Sequence, residues 1–292
     1  MGKKNSPPLA PEPPQVFVWK PRWVVACGQM ELRGDLERNR RIALEQIDEA
    51  ARKHRARLIV LPETALSGYA PSHWALGCAS IDFKTLAQAE TDVRALARKR
   101  KIAVVVGTTT RVRKKFYNTA LIIERNGRLA GRYDKLHLTG IGAQCGDAAC
   151  FAAGERRHFK PLRVAGVKAG VQICFDMRFP ETWRVLAMRG ARVLLHCVAA
   201  FGREGVWKRE PLEGTLSTRA SENACWLASA NCAGPFQYVS SRIIDPDGMV
   251  VTRAEYDAEQ VISAAIDPDC AGRSGGYIPF RRTDSYRLER KF

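Results

Sequence analysis

No apolar run in the 292 residues approaches the roughly 20 that a membrane-spanning helix needs, so insertion into a bilayer is not expected. The nine cysteines are odd in number and include no Cys-x-x-Cys pair, which argues against a disulfide framework and for a reducing, cytoplasmic compartment. There is no phosphate-binding P-loop and no Gly-x-Ser-x-Gly elbow. Gly140-Ile-Gly-Ala-Gln-Cys145 lacks the third glycine and the following helix of a dinucleotide fingerprint. Cys145, Cys150, His137 and His158 match no standard zinc spacing, so no metal and no cofactor is expected. Acidic residues are also short, 30 against 47 lysines and arginines, for a formal charge of +17. The basic clusters at Arg98–Lys101, Arg111–Lys115 and Arg281-Arg282 have no aromatic-interleaved recognition motif beside them. They read as solvated surface charge, and no specific nucleic-acid partner is expected.

What is present is enough chain for one large α/β domain or two small ones. Residues 1–21 read as a disordered proline-rich leader, and 22–292 as the folded domain with its C-terminal tail. The leader has no apolar segment of a secretory signal, so export is not expected, although Gly2 and Ser6 fit a myristoylation pattern. Val24–Gln29 reads as a first strand, followed by a helix capped at Asp35 and running through Arg57. Leu58-Ile-Val-Leu-Pro-Glu63 is a second strand, apolar enough to be buried on both faces, with a carboxylate at its carboxyl end. Asp82–Arg100 has helical spacing, and a third strand follows at Ile102. Asn126-Gly127 then joins two strands in a hairpin with a type I′ signal, whose second arm delivers Lys135. The later elements are a helix over 181–189, a strand over 191–198, a helix over 212–224 and strands at 226–231, 240–246 and 261–266.

The most telling stretch is Gly170-Val-Gln-Ile-Cys174-Phe-Asp-Met-Arg178-Phe-Pro-Glu181. An apolar β-branched run carries Cys174 to the point where Asp176 and Pro180 must stop the strand, and Pro180-Glu181 suits the start of a helix. Helix-initial N–H groups beside such a thiol favour the thiolate, the nucleophilic form. The competing account is a cysteine that merely fills a core. Glu63, Lys135 and Cys174 together stand at strand ends, and an acid, an amine and a thiol are what amide hydrolysis through a thioester requires.

At these residues the chain resembles the nitrilase superfamily of carbon–nitrogen hydrolases. The matching segments are Leu61–Tyr69, Tyr133–Leu138, Gly170–Glu181, Arg219–Asn223, Ile244–Gly248 and Arg281–Tyr286, in the family's order. The resemblance implies an α/β fold of four layers, α-β-β-α, usually dimeric, in place of the open sheet that periodicity alone suggests. It implies Glu63 as general base, Cys174 as nucleophile, and Lys135 with the Phe175 backbone N–H holding the oxyanion. The family's second glutamate, in Glu-x-x-x-Phe-x-x-Gly, corresponds to Asp147 ahead of Phe151 and Gly154, one methylene shorter. Cys-Phe-Asp resembles the Nit and omega-amidase branch. Arg178 stands where related carbamoyl-amino-acid hydrolases hold the substrate carboxylate, or else pairs only with Asp176 or Glu181. Tyr69, Phe201 and Trp207 are candidate pocket walls. The expected activity is release of ammonia from a small carboxylated amide, with a homodimer or higher homo-oligomer as the working form. The alternatives are an N-carbamoyl-amino-acid hydrolase, and a non-enzymatic basic scaffold with a vestigial pocket.

Overall fold

Strands that are apolar on both faces must be covered on both, and this chain meets that demand by stacking four layers. The computed structural model describes residues 20–68, 78–140, 146–271 and 277–282. The leader, apart from Lys20 and Pro21, therefore lies outside the described residues, as do Tyr69, Cys145 and most of the tail's end. Among the described residues no helix is long and apolar enough to cross a membrane.

The strands are β1 (Trp23–Gln29), β2 (Ala56–Val60), β3 (Ala103–Val112), β4 (Lys115–Ile123), β5 (Leu129–Asp134), β6 (Leu162–Val164), β7 (Val167–Ile173), β8 (Val193–Cys197), β9 (Trp226–Ala230), β10 (Arg242–Ile244), β11 (Val250–Arg253) and β12 (Gln260–Ile266). The longer helices are α1 (Leu36–Arg52), α2 (Phe83–Arg100), α3 (Pro180–Met188) and α4 (Arg209–Ser221). One six-stranded sheet has the order β12-β1-β2-β3-β4-β5, and the second has the order β11-β10-β9-β8-β7-β6.

Alternation along each strand assigns its side chains to different cores. Leu58 and Val60 of β2 enter the core between the sheets with Val171 and Ile173 of β7 and Leu195 of β8. Ile59 points the other way, under Ile42 and Ile47 of α1 and Val93 of α2. On the far side Leu194 and Leu227 pack with Trp183 of α3 and Leu216 of α4. The α-β-β-α sandwich implied by the resemblance is thus the observed architecture, and the open sheet is not.

Two local expectations are corrected. Helix α1, whose N-cap Asp35 accepts the Arg38 N–H, ends at Arg52 rather than Arg57. Arg52-Lys53-His54-Arg55 offers no apolar anchor, and buried Ala56 already pairs with Val24 of β1. The β4–β5 turn is not type I′. Only Gly127 has positive φ (+79°), Asn126 does not, and the ladder shifts register between Ile122 and Ile123. That is a type I turn closed by a glycine bulge. Gly127 backs onto α2, where Arg94 Nε donates to its carbonyl at 3.0 Å.

A second glycine sets the first piece of chemistry. A Cβ on Gly107 of β3 would lie 2.2 Å from the Pro62 carbonyl oxygen and 2.6 Å from Glu63 Cα. Its absence lets the chain leaving β2 lie flat against β3, with Gly107 N–H donating to Pro62 O at 3.1 Å.

Candidate active site

Glu63 leaves β2 just before Thr64, which has a positive φ of +51°. The carboxylate is 1% exposed and fully engaged. Its Oε1 accepts from Lys135 Nζ at 2.6 Å and from Asn118 Nδ2 at 2.7 Å, and its Oε2 accepts from Ala199 N–H at 2.9 Å. Lys135 follows β5 and is fixed through its backbone, donating to Asn118 O on β4 and accepting from Gly154 N–H. Its ammonium also donates to Asp147 Oδ2 at 2.7 Å. Asp147 opens a short 3-10 turn within the glycine- and alanine-rich loop and is tied to Thr139, whose N–H and Oγ1 both donate to Oδ2. The shorter acid still reaches the lysine.

Cys174 ends β7 from the opposite sheet, with a positive φ of +41° in a position where a side-chain-bearing residue is strained. The turn is held by Asp176. Its Oδ2 accepts from Tyr133 OH at 2.7 Å and from Ile173 N–H at 3.0 Å, and its Oδ1 accepts from His137 N–H at 3.1 Å. His137 Nδ1 lies 2.8 Å from the same Oδ1. One buried carboxylate therefore ties the cysteine turn to the chain on either side of Lys135. His196 of β8 supports the turn from below, with Nε2 3.2 Å from Cys174 O and Nδ1 3.0 Å from Ser229 Oγ. Burial holds His196 neutral, its pKa lowered to about 4.

The cavity above these groups has a volume of about 490 Å³, and Lys135, Cys174, Phe175, Arg178 and Phe201 all line it. Glu63 and Asp147 lie beneath its floor, behind Lys135. A larger hollow of about 910 Å³ between α1 and α2 is walled by Glu45, Asp48, Arg52 and their neighbours and holds no nucleophile. Arg178 forms no ion pair with Asp176 or Glu181 among the described residues, so its purely structural role is not what is observed. Trp207 is not a cavity wall; it is 73% exposed. His137 and His158 each face a carboxylate, Asp176 and Asp134 respectively, rather than each other.

The electrostatics differ from expectation at one point. The cysteine was expected to be acidified by a helix N-terminus. Instead burial, and then the nearby Glu63 charge, push its pKa well above that of an ordinary thiol, against the pull of Lys135 and the Ala199 N–H. The segment after Cys174 is a 3-10 turn, and α3 begins only at Pro180, too far along for its dipole to act on the sulfur. Burial also raises the Glu63 pKa, reinforced by Asp147 and opposed by Lys135 and Asn118. For Asp147 burial pulls upward, but Lys135 and Thr139 outweigh it and hold the acid below its usual range. At rest the sulfur holds its proton, and beside it sits a carboxylate with heightened proton affinity.

Sequence reasoning missed Asn118, Thr139 and His196, and read Asp176 only as a strand breaker. A signal existed for His196, a polar residue inside the apolar run Val193-Leu-Leu-His-Cys197. For Asn118 and Thr139 there was none short of the fold.

The family model described as carbon–nitrogen hydrolase matches residues 24–273. The 2-oxoglutaramate amidase of Bacillus subtilis is 31% identical over 259 residues, 84% of this chain and 91% of that protein. The chloroplastic omega-amidase of Arabidopsis thaliana is 29% identical over 274 residues, 89% of this chain and 72% of that one. Among solved structures, the C. elegans NitFhit protein superposes with a TM-score of 0.78 at 27% identity, covering 93% of this chain and 68% of that one. A Nesterenkonia amidase of the nitrilase superfamily, with a cysteine-to-alanine substitution, gives 0.76 at 26% identity, covering 91% and 96%.

Proposed function

This chain belongs to the carbon–nitrogen hydrolase family, in the Nit-like branch of the nitrilase superfamily, and we propose that it hydrolyses a small carboxylated amide through a thioester on Cys174. The observation that carries this reading is the meeting of Glu63, Lys135 and Cys174, from three separate strand ends, around one cavity.

In the proposed reaction Glu63 takes the Cys174 proton as the sulfur attacks the amide carbon. Because the thiol is held protonated, transfer and attack proceed together. The carbonyl oxygen gains the electron pair of its π bond and is held by Lys135 Nζ and the Phe175 N–H; such preorganised donors are worth on the order of 3 kcal/mol each. The oxyanion collapses, the C–N bond breaks, and Glu63 returns its proton to the departing nitrogen, so ammonia leaves and an acyl thioester remains. Glu63 then deprotonates a water that attacks the thioester, which yields the carboxylic acid and restores the thiol. Asp147 holds Lys135 in place from the side away from Glu63.

Arg178, exposed on the cavity wall, binds the substrate carboxylate as a bidentate partner, and Phe201 contacts the substrate chain. We place the enzyme in the cytoplasm on the strength of eight free cysteines among the described residues. Met249, Val250 and Val251 are exposed together and support assembly as a homodimer, which light scattering will read. The decisive experiment is intact-mass detection of a substrate-derived adduct on the protein after exposure to omega-amides of dicarboxylic acids. An adduct present in the wild type and absent from Cys174→Ala is the expected result. Equal ammonia release by Cys174→Ala overturns the mechanism.

A further inference from the structure

The cavity wall carries a second cation that the reaction above does not use. Lys208, half-buried, directly precedes α4 and lines the cavity. Its ammonium is held over two aromatic faces, 5.3 Å from the Trp207 ring centroid and 5.9 Å from that of Tyr238. Among the described residues it has no carboxylate partner, and no carboxylate lines the cavity. Its neighbour Arg209 behaves differently: Arg209 donates to the Gln237 carbonyl and stacks 3.9 Å from the Tyr256 ring centroid, a structural use. Aromatic faces steady an ammonium without neutralising it. Lys208 therefore presents a standing positive charge to a cavity whose other described walls, apart from Lys135 and Arg178, are uncharged.

We propose that Lys208 is a specificity-determining residue that, with Arg178, grips the anionic end of the substrate remote from Cys174, so that the pocket selects carboxylated amides over neutral ones. This rests on the amidase reading and extends it to a residue outside the catalytic segments. Two cations fixed from different elements, Arg178 beyond the cysteine turn and Lys208 before α4, read a carboxylate from two directions. An amide without that carboxylate leaves both charges unanswered in the bound state.

The test uses succinamate against butyramide, an amide of equal length without the acid. In Lys208→Met, kcat/KM for succinamate is expected to fall about 10- to 100-fold, the scale of one lost charge-assisted hydrogen bond, mainly through KM. Turnover of butyramide is expected to stay within about twofold, and Lys208→Arg to restore most of the succinamate activity. An equal loss on both amides, or no loss on either, overturns the proposal. Binding measured calorimetrically on the Cys174→Ala background separates it from the amidase reading. There Lys208→Met must abolish the preference for succinamate even if the wild type releases no ammonia, and a preserved preference again overturns the role of Lys208.

Discussion

Cys174 is bound by a conformational cost that a pair of substitutions can measure. Its φ of +41° places a residue with a Cβ in the left-handed region, where L-residues lose about 1–2 kcal/mol. Cys174→Ala removes the sulfur but keeps the Cβ and therefore the strain. Cys174→Gly removes both. Against this relief stands the greater freedom of glycine in the unfolded chain, about 0.4–1 kcal/mol. The net expectation is that Cys174→Gly is more stable than Cys174→Ala by about 1 kcal/mol, or roughly 2 °C in Tm for a chain of this size. Both variants are inactive, since neither has a nucleophile. The internal control is Ala169→Gly in β7, which is 1% exposed and does not have a positive φ. That change loses both strand rigidity and a buried methyl, about 1.5 kcal/mol together. Differential scanning calorimetry on the three variants under one buffer gives the comparison. If Cys174→Gly melts below Cys174→Ala by as much as Ala169→Gly melts below the wild type, the strain at the cysteine turn is not there.

Glu63→Gln keeps the side chain's volume but deletes the base, and kcat is expected to fall about 10²- to 10⁴-fold; a loss of less than about tenfold in ammonia release speaks against Glu63 as the proton acceptor. Asp147→Asn removes a negative charge that raises the Glu63 pKa. Since Glu63 must be ionised to act, activity rises with pH through its pKa, and the acid limb of kcat/KM is expected to move to lower pH in this variant. A limb that stays put or moves upward contradicts the coupling. Asp176→Ala leaves the Tyr133 hydroxyl, the Ile173 and His137 amides and the His137 ring without their shared acceptor. Stability in urea is expected to drop by about 3 kcal/mol or more, several unsatisfied donors at 1–3 kcal/mol each with partial relaxation, and a change under about 1 kcal/mol sinks the assignment of Asp176 as the clamp.

The fold's periodic content was legible because burial on two faces leaves a continuous apolar run, as in Leu58-Ile-Val-Leu and Val193–Val198. The stacking of two sheets was not legible from periodicity, since an inner face covered by a sheet and one covered by helices demand the same apolar residues. It came from the family resemblance. Helix ends and turns were less legible: Arg52–Arg55 has no cap signal, and Asn126-Gly127 satisfies the type I′ pattern while α2 selects another turn. Strand-end chemistry could be read at Glu63, Lys135 and Cys174 because a charged or reactive group after an apolar run is conspicuous. The groups that aim them, Asn118 and Thr139, are ordinary polar residues whose role arises only when β4 and the loop after Lys135 come together.

The same geometry explains why the cysteine is not acidified in advance. Lys135 is shared between two carboxylates, so one positive charge answers two negative ones in a buried volume. The surplus negative charge falls on Glu63 and, through it, on the sulfur, and both proton affinities rise. A resting thiolate would set a second negative charge beside Glu63 with little water to screen it, which the low effective dielectric of such a site makes costly. The arrangement instead keeps a thiol and a hungry base side by side. Negative charge then develops on the sulfur only as substrate carbon arrives to take it up, and it ends on an oxygen within reach of Lys135. A helix dipole aimed at the sulfur would have undone that coupling by releasing the proton too early, and the 3-10 turn over Cys174–Arg178, with α3 withheld until Pro180, keeps such a dipole away.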